Sequence, residues 1–161
     1  MKEIYFLRHA TASWNSQTTF DIDKPINKHG VHEAKLIESF ASKNNISIDR
    51  VLCSSARRTK DTSDLIFPGF KYDINSVIYK DFLYNGSSET LINFIEMQDD
   101  FINSLLIIGH NPMLPKAISL LTNTLIDIYE PCTLTLINSK AWSSIHDSKL
   151  KFKFTPNQGM K

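Results

Sequence analysis

Arginine and histidine follow short apolar runs at three separate places in this chain. Arg8-His9-Ala10 comes directly after Ile4–Leu7, Ser54-Ser55-Ala56-Arg57-Arg58 after Val51–Cys53, and Gly109-His110-Asn111-Pro112 after Leu105–Ile108. A guanidinium keeps its charge at any physiological pH, and its planar fork matches two oxygens of a phosphoryl dianion at once. Arg8 with Arg57 or Arg58 therefore suits an anion of that shape. A neutral imidazole adds something that binding alone does not require: it is a nucleophile near neutral pH, and a hydrogen bond to one nitrogen aims the lone pair of the other. Arginine beside His9 would lower its proton affinity and keep it unprotonated. His110, as a cation or as an N–H donor, would oppose charge spreading over the equatorial oxygens of a phosphoryl group in transfer.

These groups can meet only if the runs before them are strands with their ends on one rim. Apolar runs of strand length recur at Ile4–Leu7, Val51–Cys53, Ser76–Tyr79, Leu105–Ile108 and Thr133–Ile137, and continuous runs of this kind suit strands covered on both faces. The alternation Lys151-Phe152-Lys153-Phe154 suits an edge or antiparallel strand. Helical period separates the runs. Val31, Ala34, Ile37 and Phe40 form one stripe after Gly30, with Glu33, Lys35 and Glu38 outside it. Leu91, Phe94 and Ile95 form another after Ser87, and Asn111-Pro112 reads as an N-cap and first helical residue ahead of Leu114, Ala117, Ile118 and Leu121. A helix starting near Arg57 would add free backbone N–H groups to the anion site. The alternation predicts an α/β fold, a three-layer αβα sandwich with a mainly parallel central sheet and no cap domain, in which ligands bind beyond the carboxyl ends of the strands.

Length and charge set the outer bounds. The 161 residues suit one domain over 1–161. With 18 Lys+Arg against 17 Asp+Glu, overall charge points to neither nucleic acid nor an anionic membrane as partner. Two cysteines, no signal-peptide pattern after Met1 and no apolar stretch of spanning length predict a cytoplasmic protein. The polar stretch Asn15–Lys28 reads as a long loop, and loops of that length in compact domains tend to serve function. Together with the segment Tyr84–Ser88, it is where substrate selection is expected.

Four blocks in order resemble the histidine-phosphatase (phosphoglycerate-mutase-like) superfamily. Leu7-Arg8-His9-Ala10 is similar to its Arg-His-Gly signature, with Ala10 where Gly is more usual. Pro25-Ile26-Asn27-Lys28-His29-Gly30 resembles its lead into the first helix, Ser54 to Thr62 its Ser-Pro-x-x-Arg-Ala-x-x-Thr segment, and Gly109-His110-Asn111-Pro112 its second-histidine motif. Arg-His-Ala, Ser-Ser-Ala-x-Arg-Thr and the short length most resemble SixA-type phosphohistidine phosphatases. The resemblance implies a metal-independent phosphatase without cofactor. In it His9 is the phosphorylated nucleophile, Arg8 and Arg58 clamp the phosphate, His110 is the second histidine and Arg57 is a surface neighbour. It also places a phosphate-contacting residue at Asn15. Larger members of the superfamily use a carboxylic acid to protonate the leaving group, for which Asp81 is the first candidate here and Glu89 the second. SixA-type members tolerate a poor or absent acid, in keeping with an imidazole leaving group that is protonated near neutral pH. The implied partner is a phosphorylated protein carrying phosphohistidine, with a small phosphoester as the other candidate. A phosphatase or mutase of small metabolites and an idle phosphoprotein-binding module are the alternative readings.

Other chemistry fits less well. A cysteine-phosphatase loop needs five residues between Cys and Arg, and counting from Cys53 that position is Thr59. His29 and His32 lack a third ligand at metal-binding spacing. His146 belongs to a polar surface segment, and no Gly-rich phosphate loop with Lys-Ser/Thr is present.

Overall fold

The computed structural model describes residues 1–13 and 20–160. Strand β1 (Lys2–Arg8) leads to helix α1 (Lys28–Lys43), β2 (Arg50–Ser54) to α2 (Arg57–Phe70), and β3 (Ile78–Lys80) to the short α3 (Phe82–Asn85) and α4 (Ser88–Glu96). Then come β4 (Ser104–Gly109), α5 (Met113–Thr122), β5 (Leu134–Ser139), β6 (Lys149–Thr155) and the two-residue β7 (Gly159–Met160). The sheet order is β3-β2-β4-β1-β5-β6-β7. The first four strands in that order are mutually parallel; β5, β6 and β7 each pair antiparallel with the strand before them.

Side chains along a strand alternate between faces, and the apolar runs serve both. Ile4, Phe6, Leu52, Leu105 and Ile107 meet Leu91 and Ile95 of α4, Leu114 and Ile118 of α5, and the buried Trp142. Their neighbours Tyr5, Leu7, Val51, Cys53, Leu106 and Ile108 meet Ala34, Ile37 and Ala41 of α1 and Ile66 and Phe70 of α2. The result is the expected three-layer arrangement, and no separate cap domain is present among the described residues. Between β3 and α4 lies only α3.

Local chemistry moves several boundaries. Ser76, expected in a strand, ends a 3-10 turn because Asp73 accepts the backbone N–H of Asn75 and Ser76, and β3 starts only at Ile78. Thr133 lies outside β5, in a turn where Cys132 holds a left-handed φ of 59°. Asn111 does not cap α5. Its side-chain amide donates to the Tyr129 carbonyl at 2.9 Å, and the helix starts at Met113 after Pro112. Helix α1 starts at Lys28, before Gly30, capped by Asn27, whose side chain accepts the Gly30 N–H at 2.8 Å. Glycine is required there because a Cβ would run into the Thr11 carbonyl. Glu33 is also inside rather than out: it is buried, and its carboxylate accepts the Thr11 N–H at 2.7 Å. The amino end of α1 thus braces the segment that follows His9.

Candidate active site

Register brings the two imidazoles together. Arg8 pairs with Gly109 across β1 and β4, so the next residues, His9 and His110, leave adjacent strand ends side by side. Their ring centroids lie 5.1 Å apart. The His9 N–H donates to the Gly109 carbonyl, and the Cys132 N–H bridges the carbonyls of Arg8 and His9, pinning the backbone from β4 on one side and from the turn before β5 on the other. On the other side of β4, Cys53 pairs with Ile108, which sets Ser54 beside His110, and Ser54 Oγ is 2.8 Å from His110 Nε2.

The tautomer of His9 follows from its partner. Its Nδ1 lies 2.7 Å from the Ala10 carbonyl oxygen, which can only accept, so Nδ1 carries the proton and the lone pair belongs to Nε2. Thr62 of α2 locks this turn by accepting the Ala10 N–H while donating to the Arg58 carbonyl. Ala10 needs no glycine, since its φ is not in the left-handed region. Burial, with Arg58 and Arg8 beside it, pushes His9 down to about 4 against the hydrogen bond to Ala10. Burial, then His9 and Arg58, push His110 down to about 3. Both rings are neutral near pH 7, so His110 offers the cleft a ring N–H and not an imidazolium.

Around the rings lies a cleft of two joined lobes that share Arg8, His9, Asp21 and Arg58 as lining. One, of about 460 Å³, is bounded by Tyr84, Asn85, His110 and Asn111. The other, of about 220 Å³, is bounded by Thr11, Ala12, Ser13, Lys24 and Pro131. Arg8 donates to the Tyr129 carbonyl at 2.9 Å, but its buried Nε has no partner among the described residues; neither do buried Ser55 Oγ and His110 Nδ1. Buried polar atoms are nearly always paired, and here three orphans sit at or just past the ends of β1, β2 and β4. Arg58 directs its fork at Asp21, donating to the carbonyl at 2.9 Å and to Oδ2 at 3.1 Å.

The structure therefore gathers Arg8, His9, Arg58 and His110 into one cleft, and leaves others out. Asp81 is exposed ahead of α3 and does not line either lobe: it follows β3, the edge strand of the sheet, and its backbone carbonyl accepts the Tyr84 and Asn85 N–H groups at the start of the helix. Glu89 is also outside the lobes, exposed and 4.0 Å from Lys116. Asn15 lies outside the described residues. Arg57 is exposed and paired with Asp61 along α2 at 3.4 Å. Cys53 is fully buried, with its thiol pushed up to about 12 by burial, and packs in the core as a small strand residue. His29 faces Glu33 at 3.7 Å, and no group of three or more potential metal ligands occurs among the described residues. Sequence alone assigns Asp21 and Lys24 no site role beyond membership of the Asn15–Lys28 loop, and it assigns Ser54 none as a partner of His110. Their positions depend on contacts far along the chain, such as the Tyr84 hydroxyl on Asp21, and no local pattern announces them.

Residues 4–80 match the model of the histidine phosphatase superfamily (branch 1), a stretch that holds Arg8, His9 and Arg58 and stops before His110. An uncharacterized protein of Mycobacterium tuberculosis strain H37Rv is 31% identical over 106 residues, covering 66% of this chain and 63% of that protein's length. The chain thus matches less than two thirds of that relative. An uncharacterized protein of Mycobacterium leprae is 29% identical over 73% of this chain and 72% of its own. The fold superposes on a crystal structure from Agrobacterium tumefaciens, provisionally designated phosphohistidine phosphatase SixA. That match has a TM-score of 0.84 and 25% identity, covering 97% of this chain and 99% of the other. A structure of the protein histidine phosphatase SixA complexed with tungstate shares the fold at a TM-score of 0.85 and 16% identity, over 96% and 97% of the two chains.

Proposed function

We propose that this chain, which belongs to the histidine phosphatase superfamily, is a metal-independent phosphatase that removes phosphate from phosphohistidine on a protein through a phosphoryl group carried on His9. The observation that carries the reading is the pairing of a neutral, tautomer-fixed His9 with His110 in a cleft lined by Arg8 and Arg58.

In the first step the Nε2 lone pair of His9 attacks phosphorus, and the bond from phosphorus to the substrate ring nitrogen breaks. When that ring is already protonated on its other nitrogen, the electron pair of the broken bond leaves it neutral. Because the Ala10 carbonyl keeps a proton on Nδ1, phosphorylated His9 is a cationic ring and itself a good leaving group. In the second step water attacks phosphorus, His9 departs neutral, and dihydrogen phosphate carries the water oxygen and both its protons. Arg58, once freed from Asp21, the Arg8 guanidinium and the His110 ring line the lobe and would supply donors for the phosphoryl oxygens. Arg8 and His110 already line the cleft, whereas Arg58 must exchange Asp21 for the phosphoryl oxygens when substrate binds. Asn15 would add a further donor. A separate acid is not needed when the leaving nitrogen arrives protonated, which agrees with the position of Asp81 outside the cleft.

The short connection through α3 supports a protein-borne substrate, since it leaves space above the strand ends. The test is to incubate the protein with phosphohistidine-bearing carrier proteins and a panel of small phosphoesters, with and without a chelator. The reading expects phosphate release from the carriers at a kcat/KM at least about tenfold above the esters, unchanged by chelation. Preferred hydrolysis of a sugar phosphate, or movement of phosphate between positions on one, would assign the protein to small metabolites. Phosphate binding without any release would make it a binding module.

A further inference from the structure

Asp21 is the only carboxylate lining either lobe of the cleft among the described residues, and its placement is unusual for a site that receives a dianion. Its Oδ2 accepts from the Tyr84 hydroxyl at 2.7 Å and from Arg58 at 3.1 Å, and its Oδ1 lies 3.6 Å from Lys24 Nζ. A negative charge here opposes phosphate binding, and it occupies part of the Arg58 fork. It cannot act as an acid in compensation, because the Tyr84 hydrogen bond and Arg58 hold its carboxyl below the usual carboxylate range. What an ionised carboxylate at the junction of two lobes can do is attract a proton onto a neighbouring ring.

We propose that Asp21 selects the leaving group, favouring departure of a protonated nitrogen ring from phosphorus over departure of an oxygen. This rests on the reading of the site as a phosphohistidine phosphatase and adds its specificity-determining residue. Facing the ring of a bound phosphohistidine, the carboxylate stabilises the N–H on the nitrogen remote from phosphorus. The ring then holds a proton from solvent before attack. The bond from His9 Nε2 to phosphorus forms as the bond from phosphorus to the ring nitrogen breaks, its electron pair stays with the ring, and the ring leaves neutral with its N–H still directed at Asp21. A phenolate leaving group has no such proton and meets only the repulsion.

The test compares N-phosphoimidazole with p-nitrophenyl phosphate, whose leaving group needs no proton, in the natural protein and in Asp21→Asn and Asp21→Glu. Asp21→Asn keeps a carbonyl acceptor for Arg58 and Tyr84. The proposal expects Asp21→Asn to lower kcat/KM for N-phosphoimidazole and raise it for p-nitrophenyl phosphate, so that their ratio falls by about tenfold, one pKa unit of ring protonation. The pH above which N-phosphoimidazole turnover declines should fall in Asp21→Asn and recover in Asp21→Glu. Equal losses on both substrates would overturn the proposal, making Asp21 a mere holder of Arg58, and an unchanged ratio would do the same. The reading beneath it is scored separately by trapping the phosphoryl group from N-phosphoimidazole on the natural protein. Absence of an adduct on His9 counts against the site, whereas an adduct with an unchanged ratio counts against Asp21 alone.

Discussion

A carbonyl acceptor, not a charge, fixes the protonation pattern of His9. Ala10 oxygen can hold only the Nδ1 proton, so the lone pair sits on Nε2 before any substrate arrives. The same burial that keeps both imidazoles neutral has a thermodynamic consequence. Each folded-state pKa, about 4 for His9 and about 3 for His110, lies below the ordinary value of 6.5. Above that value both states of the chain hold neutral rings, and neither histidine makes stability depend on pH. As pH falls below it, the unfolded chain takes up protons that the folded chain refuses until its own pKa is reached. Each histidine then costs up to about 1.4 kcal/mol of stability per pH unit in that window. Urea unfolding at a series of pH values should show this loss between about pH 6.5 and 4, and His110→Asn should flatten it. An unchanged slope in that variant would show that His110 is not held neutral by burial.

At the scale of elements, α1 and α2 act as braces for the residues after β1. Gly30 and Glu33 of α1 touch the backbone of Thr11, and Thr62 of α2 joins Ala10 to the carbonyl of Arg58. Gly30→Ala should therefore cost about 1–3 kcal/mol, as overpacking does, and should lower kcat more than it raises KM because the His9 turn shifts. Thermal unfolding with steady-state kinetics checks both, and a stable variant with normal kcat would refute the brace. This level also shows what is legible in order alone. The sheet ends could be placed because buried parallel strands announce themselves as apolar runs, and the charged or ring-bearing residues directly after them had nowhere to go but the rim. Helical period alone puts Glu33 on the outer face because it counts polarity, and a backbone N–H that waits for a carboxylate leaves no mark in that pattern. Asn111 departs from its cap position for the same reason: Asn-Pro fits a helix start, yet the carbonyl of Tyr129, 18 residues on, takes its side chain.

For the whole molecule, the site is a product of topology. Insertion of β4 between β2 and β1 sets the carboxyl ends of three strands side by side, so residues 9, 54 and 110 become neighbours although the chain separates them widely. The Asp21–Tyr84 contact spans 63 residues and joins the loop after β1 to α3, the two segments where selection of substrate was expected. No helix among the described residues is long and apolar enough to cross a membrane. We infer that this convergence makes His9 Nε2 the atom that takes the phosphoryl group. Brief incubation with a radiolabelled phosphohistidine protein, followed by rapid quenching, should trap label that is lost in acid and kept in base. Peptide mapping should place it on His9, and His9→Ala should neither take label nor turn over. Label on another residue, or near-normal turnover in His9→Ala, would contradict the account.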